Sequence, residues 1–189
     1  MPTLNEAYQR PNLQRAWRWI RSNPDPLQKR FCGNLYSHFA VADDLIIDHL
    51  HGQLSRRMYE PSLACKILMP KKSGILRPYT LLTVEDQIVY QSLVNIIAEH
   101  LAPRIRHHYL VHNFGHVYAG TTSAWFYRKW SDGYVAFNQA ARKAFNKGLT
   151  YTASFDLTAC YDSLDHRVLT HFLKELSATK ISANFLPAY

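Results

Sequence analysis

Three aspartates lie close together near the end of the chain, in the stretch SFDLTACYDSLDH. Asp156 belongs to a run of β-branched and aromatic residues that predicts a strand over 151–157, whereas Asp162 and Asp165 precede a helical pattern. A carboxylate at the end of a buried strand is costly unless a cation compensates its charge, and a divalent ion does so well. Asp156 is therefore a candidate metal ligand. The alternative is that the three aspartates are turn and helix-cap residues, because Asp is favoured at such positions.

The second cluster of interest is basic. Two short apolar runs, 64–70 and 75–79, flank the turn sequence KKSG, and this pattern predicts a β-hairpin. Lys71 and Lys72 then lie in the turn, and Arg77 lies on the return strand. The sequence therefore predicts a basic hairpin near the middle of the chain.

Helices are expected on both sides of the hairpin. The first one carries Leu13, Trp17 and Ile20 on a single stripe and is broken by the sequence NPDP. The sequence TVED, residues 83–86, resembles a capping box for a helix that should end at Pro103. Apolar residues at helical spacing mark a second helix before the hairpin and one after it: Val41, Leu45, Ile46 and Leu50, then Val89, Leu93, Ile96, Ile97 and Leu101.

The remaining segments are less regular. Residues 104–120 mix histidines, aromatics and glycines and are expected to form a loop with short extended pieces. Aromatic and basic residues alternate over 122–147, which predicts a helix broken near Gly133. This mixture could stack bases and contact phosphate, although a packed core with a solvated face has the same pattern. After the aspartates, VLTHFLKEL predicts a final helix.

Composition limits the class of protein. The chain has 189 residues, of which 47% are hydrophobic and 19% charged, so it is long enough and apolar enough for a packed core. A formal charge of +8 favours a polyanionic partner, either nucleic acid or an anionic membrane surface. The three cysteines are far apart and lack CxxC spacing, which fits a reducing compartment. No stretch approaches the roughly 18 apolar residues of a membrane span, so we expect a soluble, cytoplasmic protein without a membrane partner.

The stretch FDLTACYDSLDH resembles motif A of the reverse transcriptases, which is the strand-turn-helix of the polymerase palm. The group II intron-like bacterial branch shows approximately FDLxxxFDxIDH there. Upstream, NLQRAWRWIRSN is similar to the N-terminal helical extension of that family, MYEP and PKKSGILRP to its first fingers motif, and TVEDQIVYQSLVNIIAEHLAPRI to the following fingers helix. These matches occur in the family's order over residues 12–173.

One segment departs from this pattern, because HNFGHVYAG stands where the intron-encoded proteins usually have a GFR-like sequence. The departure points to the divergent bacterial lineages, several of which serve in phage defence. The resemblance implies an α+β fold made of right-hand polymerase fingers and the start of a palm. It divides the chain into an N-terminal helical extension (1–62), fingers (63–150) and a first palm segment (151–189).

The resemblance also assigns roles to individual residues. Asp156 would bind catalytic Mg²⁺, with the Leu157 carbonyl as an additional ligand, in a two-metal transfer of deoxynucleotides to a primer. Tyr161 matches the aromatic steric gate that excludes a ribose 2′-hydroxyl, although it could simply be a buried aromatic. Lys71, Lys72 and Arg77 match the fingers residues that meet the incoming triphosphate, although a solvated basic hairpin is the alternative.

The implied partners are an RNA template, a DNA primer and deoxynucleoside triphosphates. A reverse transcriptase palm also needs a second acidic motif, usually YxDD, and a thumb, and no acidic pair follows Asp165 in this sequence. We therefore expect activity only together with the missing C-terminal palm and thumb segment, and an inert chain without it.

The sequence is compatible with two other classes of function. The chain could be a non-catalytic nucleic-acid-binding protein derived from the reverse transcriptase fold, with Asp156 in a structural role. An unrelated hydrolase could use His166 with Asp165 or Asp162, but no nucleophile motif accompanies them. A cluster of histidines that resembles a metal site lacks support from Cys or carboxylates, which favours a structural or RNA-facing role: His107, His108, His112 and His116.

Overall fold

The fold is that of a computed structural model, which describes residues 4–23, 26–157, 160 and 163–176. It combines helices with a small antiparallel sheet and is therefore of mixed α and β type, as expected. The described part of the chain divides into two units, an N-terminal unit over Leu4–Ile97 and a C-terminal unit that begins at Ala98. The division into helical extension, fingers and palm segment remains a prediction.

Helices build most of the N-terminal unit. Their bounds are α1, Leu4–Ala7; α2, Arg10–Ser22; α3, Pro26–Val41; and α4, Asp43–Ser55. The predicted stripe of α2 is confirmed, because Leu13 and Trp17 are buried and Ile20 packs against the same core. Trp17 also donates a hydrogen bond from Nε1 to Asp43 Oδ2, at 3.0 Å, which ties α2 to the start of α4.

The buried face of α4 differs from the predicted one. Ile47, Leu50 and Leu54 are buried, whereas Leu45 is exposed and Val41, at 88% exposure, ends α3 instead of belonging to α4. Apolar residues cover more than one face of this segment, so spacing alone allows two stripes. Packing against α2 selects the stripe that starts at Ile47.

A buried polar network joins α2 to the helix that follows the hairpin. Asn12 donates from Nδ2 to the carbonyl oxygens of Ala7 and Ser92, both at 2.9 Å, and accepts at Oδ1 from Asn95 Nδ2 at 2.8 Å. Gln91 in turn donates to Asn95 Oδ1 at 2.9 Å. Because buried polar groups are costly unless they are hydrogen-bonded, these bonds fix the pairing of the two helices.

The predicted hairpin is present. Strand β1, Cys65–Pro70, pairs antiparallel with β2, Leu76–Leu81, in a register that places Met69 opposite Arg77 and Leu68 opposite Pro78. Pro70 faces Leu76 at the end of the ladder. The side chains of Ile67, Met69, Tyr79 and Leu81 share one face and are half-buried, whereas the opposite face is exposed.

Helix α5, Val84–Ile105, follows the hairpin. It begins directly after Thr83, as the capping pattern predicts, and its buried residues include Ile88, Val89 and Asn95. The helix ends at Ile105, two residues beyond the expected end at Pro103. A proline inside a helix removes one N–H···O=C hydrogen bond and crowds the carbonyl four residues earlier, and α5 ends two residues after Pro103. No helix among the described residues is long and apolar enough to cross a membrane.

The C-terminal unit contains a 3₁₀ turn, Arg106–His108, and two helices, α6, Trp130–Asn146, and α7, His166–Leu176. Residues 109–120 are mostly irregular and form isolated bridges, which confirms the expected loop over this part. Residues 104–108, which were also expected in the loop, are helical, because α5 extends to Ile105 and the 3₁₀ turn follows it. Residues 117–119 pair with 126–128, since the Ala119 N–H bonds the Phe126 carbonyl at 2.9 Å and the Arg128 N–H bonds the Val117 carbonyl at 2.8 Å.

The predicted helix over 122–147 is corrected in two respects. Its regular part begins only at Trp130, and Gly133 lies within its first turn instead of breaking it. Gly133 is buried because its α-carbon lies against the backbone of Phe114. A Cβ placed there would come within 2.0 Å of the Phe114 carbonyl oxygen, so the glycine allows a close approach and not a kink.

Candidate functional site

The hairpin turn has a defined geometry. The Gly74 N–H bonds the Lys71 carbonyl at 2.9 Å, and the Lys71 N–H bonds the Ile75 carbonyl at 2.8 Å. Gly74 has a φ of +82°, a left-handed conformation that favours glycine. This is a three-residue hairpin loop in which a type I turn is followed by a glycine bulge, the arrangement that suits the twist of the flanking strands.

The three cations predicted to bind phosphate lie on this one hairpin. Lys71 begins the turn, Lys72 lies at its tip and Arg77 is the second residue of β2. All three are exposed, and none of them forms an ion pair or a side-chain hydrogen bond with another described residue. The hairpin therefore holds three cationic side chains that are available to an anion.

A cluster around Asp86 connects the chain before the hairpin to the helix after it. Asp86 is buried and accepts hydrogen bonds from the hydroxyls of Tyr59 and Thr83, the latter at 2.7 Å, and from the Ser62 N–H at 3.2 Å. The Asp86 N–H donates back to Thr83 Oγ1 at 3.1 Å, which confirms the predicted capping pair. Both ends of the hairpin are thus tied to the start of α5.

The hydrogen bond from Tyr59 to Asp86 is a contact of this cluster that sequence reasoning missed. Burial raises the pKa of the Tyr59 hydroxyl above the ordinary value, and the hydrogen bond to Asp86 raises it further. The burial of Asp86 explains why such a donor is needed, because a buried carboxylate requires more hydrogen-bond donors than one threonine supplies. Nothing in the sequence indicates which residue, 27 positions away, would provide this donor.

The segment predicted to carry catalysis is not a strand. Residues 151–157 are irregular and exposed, and Leu157 is 74% exposed. A lone segment has no neighbouring strand to bond its N–H and carbonyl groups, so its β-type sequence does not suffice to form one. Asp156 is likewise exposed, and its Oδ1 accepts the N–H of Leu157 at 3.0 Å.

The surroundings of Asp156 bear on the predicted Mg²⁺ site. No group of three or more His, Cys, Asp or Glu side chains that could hold a metal occurs within the described residues. Mg²⁺ needs near-octahedral coordination with one or two carboxylates, and a pair of ions needs several. Asp156 and the Leu157 carbonyl therefore do not by themselves fit a two-metal centre.

The predicted site residues fall into two groups. Lys71, Lys72 and Arg77 are together on the hairpin of the N-terminal unit, whereas Asp156 and Leu157 are neighbours in the C-terminal unit. Tyr161, the predicted steric gate, lies outside the described residues, as does Asp162.

Asp165 acts as the cap of α7. It accepts hydrogen bonds from the Arg167 N–H at 2.8 Å and from Arg167 Nη2 at 2.9 Å, and its own carbonyl accepts the Leu169 N–H at 3.0 Å. The hydrogen bonds from Arg167 lower the pKa of the Asp165 carboxyl to about 2. These contacts explain Asp165 as a cap residue, so the structure gives no support to a hydrolase that pairs it with His166.

Comparison with known proteins gives no relative: no family model, no curated protein and no solved structure matches the chain.

Proposed function

We propose that the chain provides the fingers and the first palm segment of an RNA-directed DNA polymerase, a reverse transcriptase. The observation that carries the proposal is the hairpin, whose tip presents Lys71 and Lys72 and whose return strand presents Arg77, all without a described carboxylate partner. It lies between the MYEP sequence and α5, in the order of the fingers motifs that the sequence resembles.

The chemistry of these cations suits a nucleoside triphosphate. A guanidinium can hold two phosphate oxygens at once, whereas an ammonium acts as a compact point charge. The bulged turn and the Asp86 cluster fix the hairpin at both ends, so binding an anion there requires little ordering of the backbone.

Asp156 contributes one carboxylate to the proposed centre. Because Asp156 and Leu157 offer too few ligands for two ions, we propose that further carboxylates come from a separate segment of the YxDD type. Mg²⁺ bound by the complete set would polarise the triphosphate and the primer hydroxyl. The exposure of Asp156 supports this proposal, because it leaves the carboxylate open to such a segment.

Primer extension on an RNA template tests the proposal. The purified chain is expected to be inert alone and active after addition of a separately expressed C-terminal portion that carries the acidic pair. In the active mixture, Asp156→Asn should abolish extension and leave template binding nearly unchanged. Asp132→Asn is the matched control, because Asp132 is also an exposed carboxylate of the C-terminal unit. Normal extension by Asp156→Asn would refute the role of Asp156.

The hairpin is tested in the same mixture. Arg77→Ala should raise the KM for deoxynucleotides by about tenfold or more, since one charge-assisted contact contributes roughly 1.5–3 kcal/mol. Lys66→Ala is the control, because Lys66 is exposed on the same hairpin but opposite Thr80, on the other face from Arg77. Equal effects of the two substitutions would show that general charge, and not the position of Arg77, is what matters.

A non-catalytic nucleic-acid-binding protein is the second candidate. The observation that favours it is that Asp156 has no cluster of further metal ligands around it within the described residues. This candidate predicts binding to RNA that weakens steeply with salt, as the charge of +8 implies, and no extension even with the acidic segment present. Extension in the complemented mixture would exclude it.

A further inference from the structure

Helix α6 carries a row of aromatic side chains that the proposed polymerase site does not use. Trp130, Tyr134, Phe137 and Phe145, here called the aromatic stripe, recur at helical spacing along one side of the helix. All four are exposed, and Trp130 reaches 81% exposure. Large apolar side chains grouped in this way on a surface indicate a binding site more often than scattered single ones do.

The rings of the stripe are ordered relative to each other. Trp130 and Tyr134 lie edge to face, with ring centroids 6.3 Å apart and an interplanar angle of 60°. Phe137 packs edge-on against Phe114 at 5.7 Å, and Gly133 sits directly against the Phe114 backbone. The first turns of α6 are therefore held in place, while the side chains of Trp130 and Tyr134 remain largely exposed.

The charged residues around the stripe are mostly positive. Residues 128–147 contain five cations, Arg128, Lys129, Arg142, Lys143 and Lys147, and Asp132 as the single acidic residue. Arg142 lies three positions before Phe145, which places it beside the stripe. Neither Arg142 nor Lys143 nor Lys147 forms an ion pair with another described residue. A partner for this surface must therefore offer flat apolar groups together with negative charge.

We propose that the aromatic stripe binds single-stranded nucleic acid, with bases stacked on Trp130 and Tyr134 and phosphates contacted by Arg142 and its neighbouring cations. Every base has a π-face, so stacking is tolerant of sequence, and a single strand leaves those faces accessible. From Trp130 to Phe145 the helix rises about 22 Å, long enough for several nucleotides. A protein partner or a second copy would need acidic groups to match the cations.

This proposal does not depend on the polymerase. It uses neither Asp156 nor the cations of the hairpin, so the stripe can bind a strand even if nucleotide transfer never occurs. Conversely, an active polymerase with a non-binding stripe would refute this inference and leave the proposed function intact.

Fluorescence anisotropy of labelled oligouridylate and oligothymidylate of about 12 nucleotides tests it on the whole chain. The double substitution Trp130→Ala with Tyr134→Ala should weaken binding by about tenfold for each ring, while Trp130→Phe with Tyr134→Phe should retain most of the affinity. Arg142→Gln should reduce the dependence of binding on salt by about one phosphate contact.

Tyr90→Ala is the matched control, because Tyr90 is an exposed ring on α5 in the other unit. Its substitution should not change the affinity. The proposal is overturned if the alanine pair binds within twofold of the original chain, or if Tyr90→Ala weakens binding equally. It is also overturned if sedimentation shows a dimer that the alanine pair dissociates while oligonucleotide binding is unchanged, since the stripe would then be a contact between copies.

Discussion

The two units of the chain differ in how they are held together. The N-terminal unit has a core cluster to which α2, α3, α4 and α5 contribute, with Leu13 and Ile88 fully buried. In the C-terminal unit, Val117 and Gly133 are the buried residues among those that the structure describes. Aromatic pairs and backbone hydrogen bonds hold its described part together. Elements of similar length thus differ in stability, because burial and not helix content provides most of the free energy of folding.

This difference should be visible in hydrogen exchange, because the backbone amides of the two units should be protected to different degrees. Local opening depends on the apolar contacts that must be broken, so amides of α2 and of α5 up to Ile97 should exchange only through cooperative unfolding of the N-terminal unit. Amides of α6 and α7 should exchange through smaller openings.

Truncation of a core side chain should give the largest difference in the free energy of unfolding between the two units. Ile88→Ala removes a fully buried side chain and should lower the free energy of unfolding by about 2–5 kcal/mol. Phe172→Ala, at an exposed position of α7, should change it by less than about 0.5 kcal/mol. Urea unfolding followed by the fluorescence of the buried Trp17 and Trp19 measures the first effect. A comparable loss for Phe172→Ala would show that α7 belongs to a packed core.

Replacement of a glycine by alanine should change stability in opposite directions in the two units. Gly133→Ala forces a methyl group against the Phe114 carbonyl and should destabilise the start of α6 by about 1–3 kcal/mol. Gly52→Ala, inside α4 with open space around it, should stabilise its helix by about 0.5–1 kcal/mol. Hydrogen exchange over 130–146 and thermal unfolding check the pair. Unchanged exchange in Gly133→Ala would mean that the close approach to Phe114 does not hold α6.

Alkaline pH should act on the N-terminal unit. Burial raises the pKa of Tyr8 to about 12, and burial together with the Asp86 hydrogen bond raises the pKa of Tyr59. In the unfolded chain these tyrosines lose their protons near pH 10, whereas the folded chain retains them. The contribution of these two tyrosines to stability should therefore be fully present below about pH 10 and should be lost as the pH rises towards 12.

Urea titrations at several alkaline pH values measure this loss. Tyr59→Phe removes one of the two titrating groups and should make the decline shallower. An identical decline in Tyr59→Phe would show that Tyr59 does not contribute to it.

Acidic pH should have the smallest of these effects on stability, and it should act on the C-terminal unit. The hydrogen bonds from Arg167 lower the pKa of Asp165 to about 2, so the cap of α7 is at full strength above about pH 4 and is lost as the pH falls towards 2. Circular dichroism between pH 5 and pH 2 should show a small loss of helix in the original chain and a smaller one in Asp165→Asn. Both groups are exposed, and 0.5 M salt should reduce the difference.

The elements defined by short-range patterns were predictable. The spacing of Leu13, Trp17 and Ile20 correctly identified α2, the KKSG turn identified the hairpin, and the pair Thr83 and Asp86 identified the start of α5. Each of these depends on residues within a few positions of one another. The buried face of α4 was not predictable, because several apolar stripes compete and only packing selects among them.

Long-range contacts were the main omission. The bond from Asn95 to Asn12 joins residues 83 positions apart, and that from Tyr59 to Asp86 joins residues 27 apart. Nothing in the local sequence distinguishes these polar side chains from solvated ones. The same limit applies to the candidate site. The position of the hairpin cations was predictable from the residues of the turn. The strand expected around Asp156 was not, because a strand needs a pairing partner and the local sequence does not show whether one is present.

The prolines of the hairpin bear on its tendency to aggregate. In an antiparallel ladder, hydrogen-bonded pairs alternate with pairs whose N–H groups point outward, and the bond from Lys71 to Ile75 places Pro70 and Pro78 in the outward-pointing class. Each proline therefore removes a donor from a free edge, one on each strand, without weakening the ladder itself. A foreign strand that tried to extend this sheet would find a gap in the donor row on either side, which discourages edge-to-edge association of an exposed hairpin.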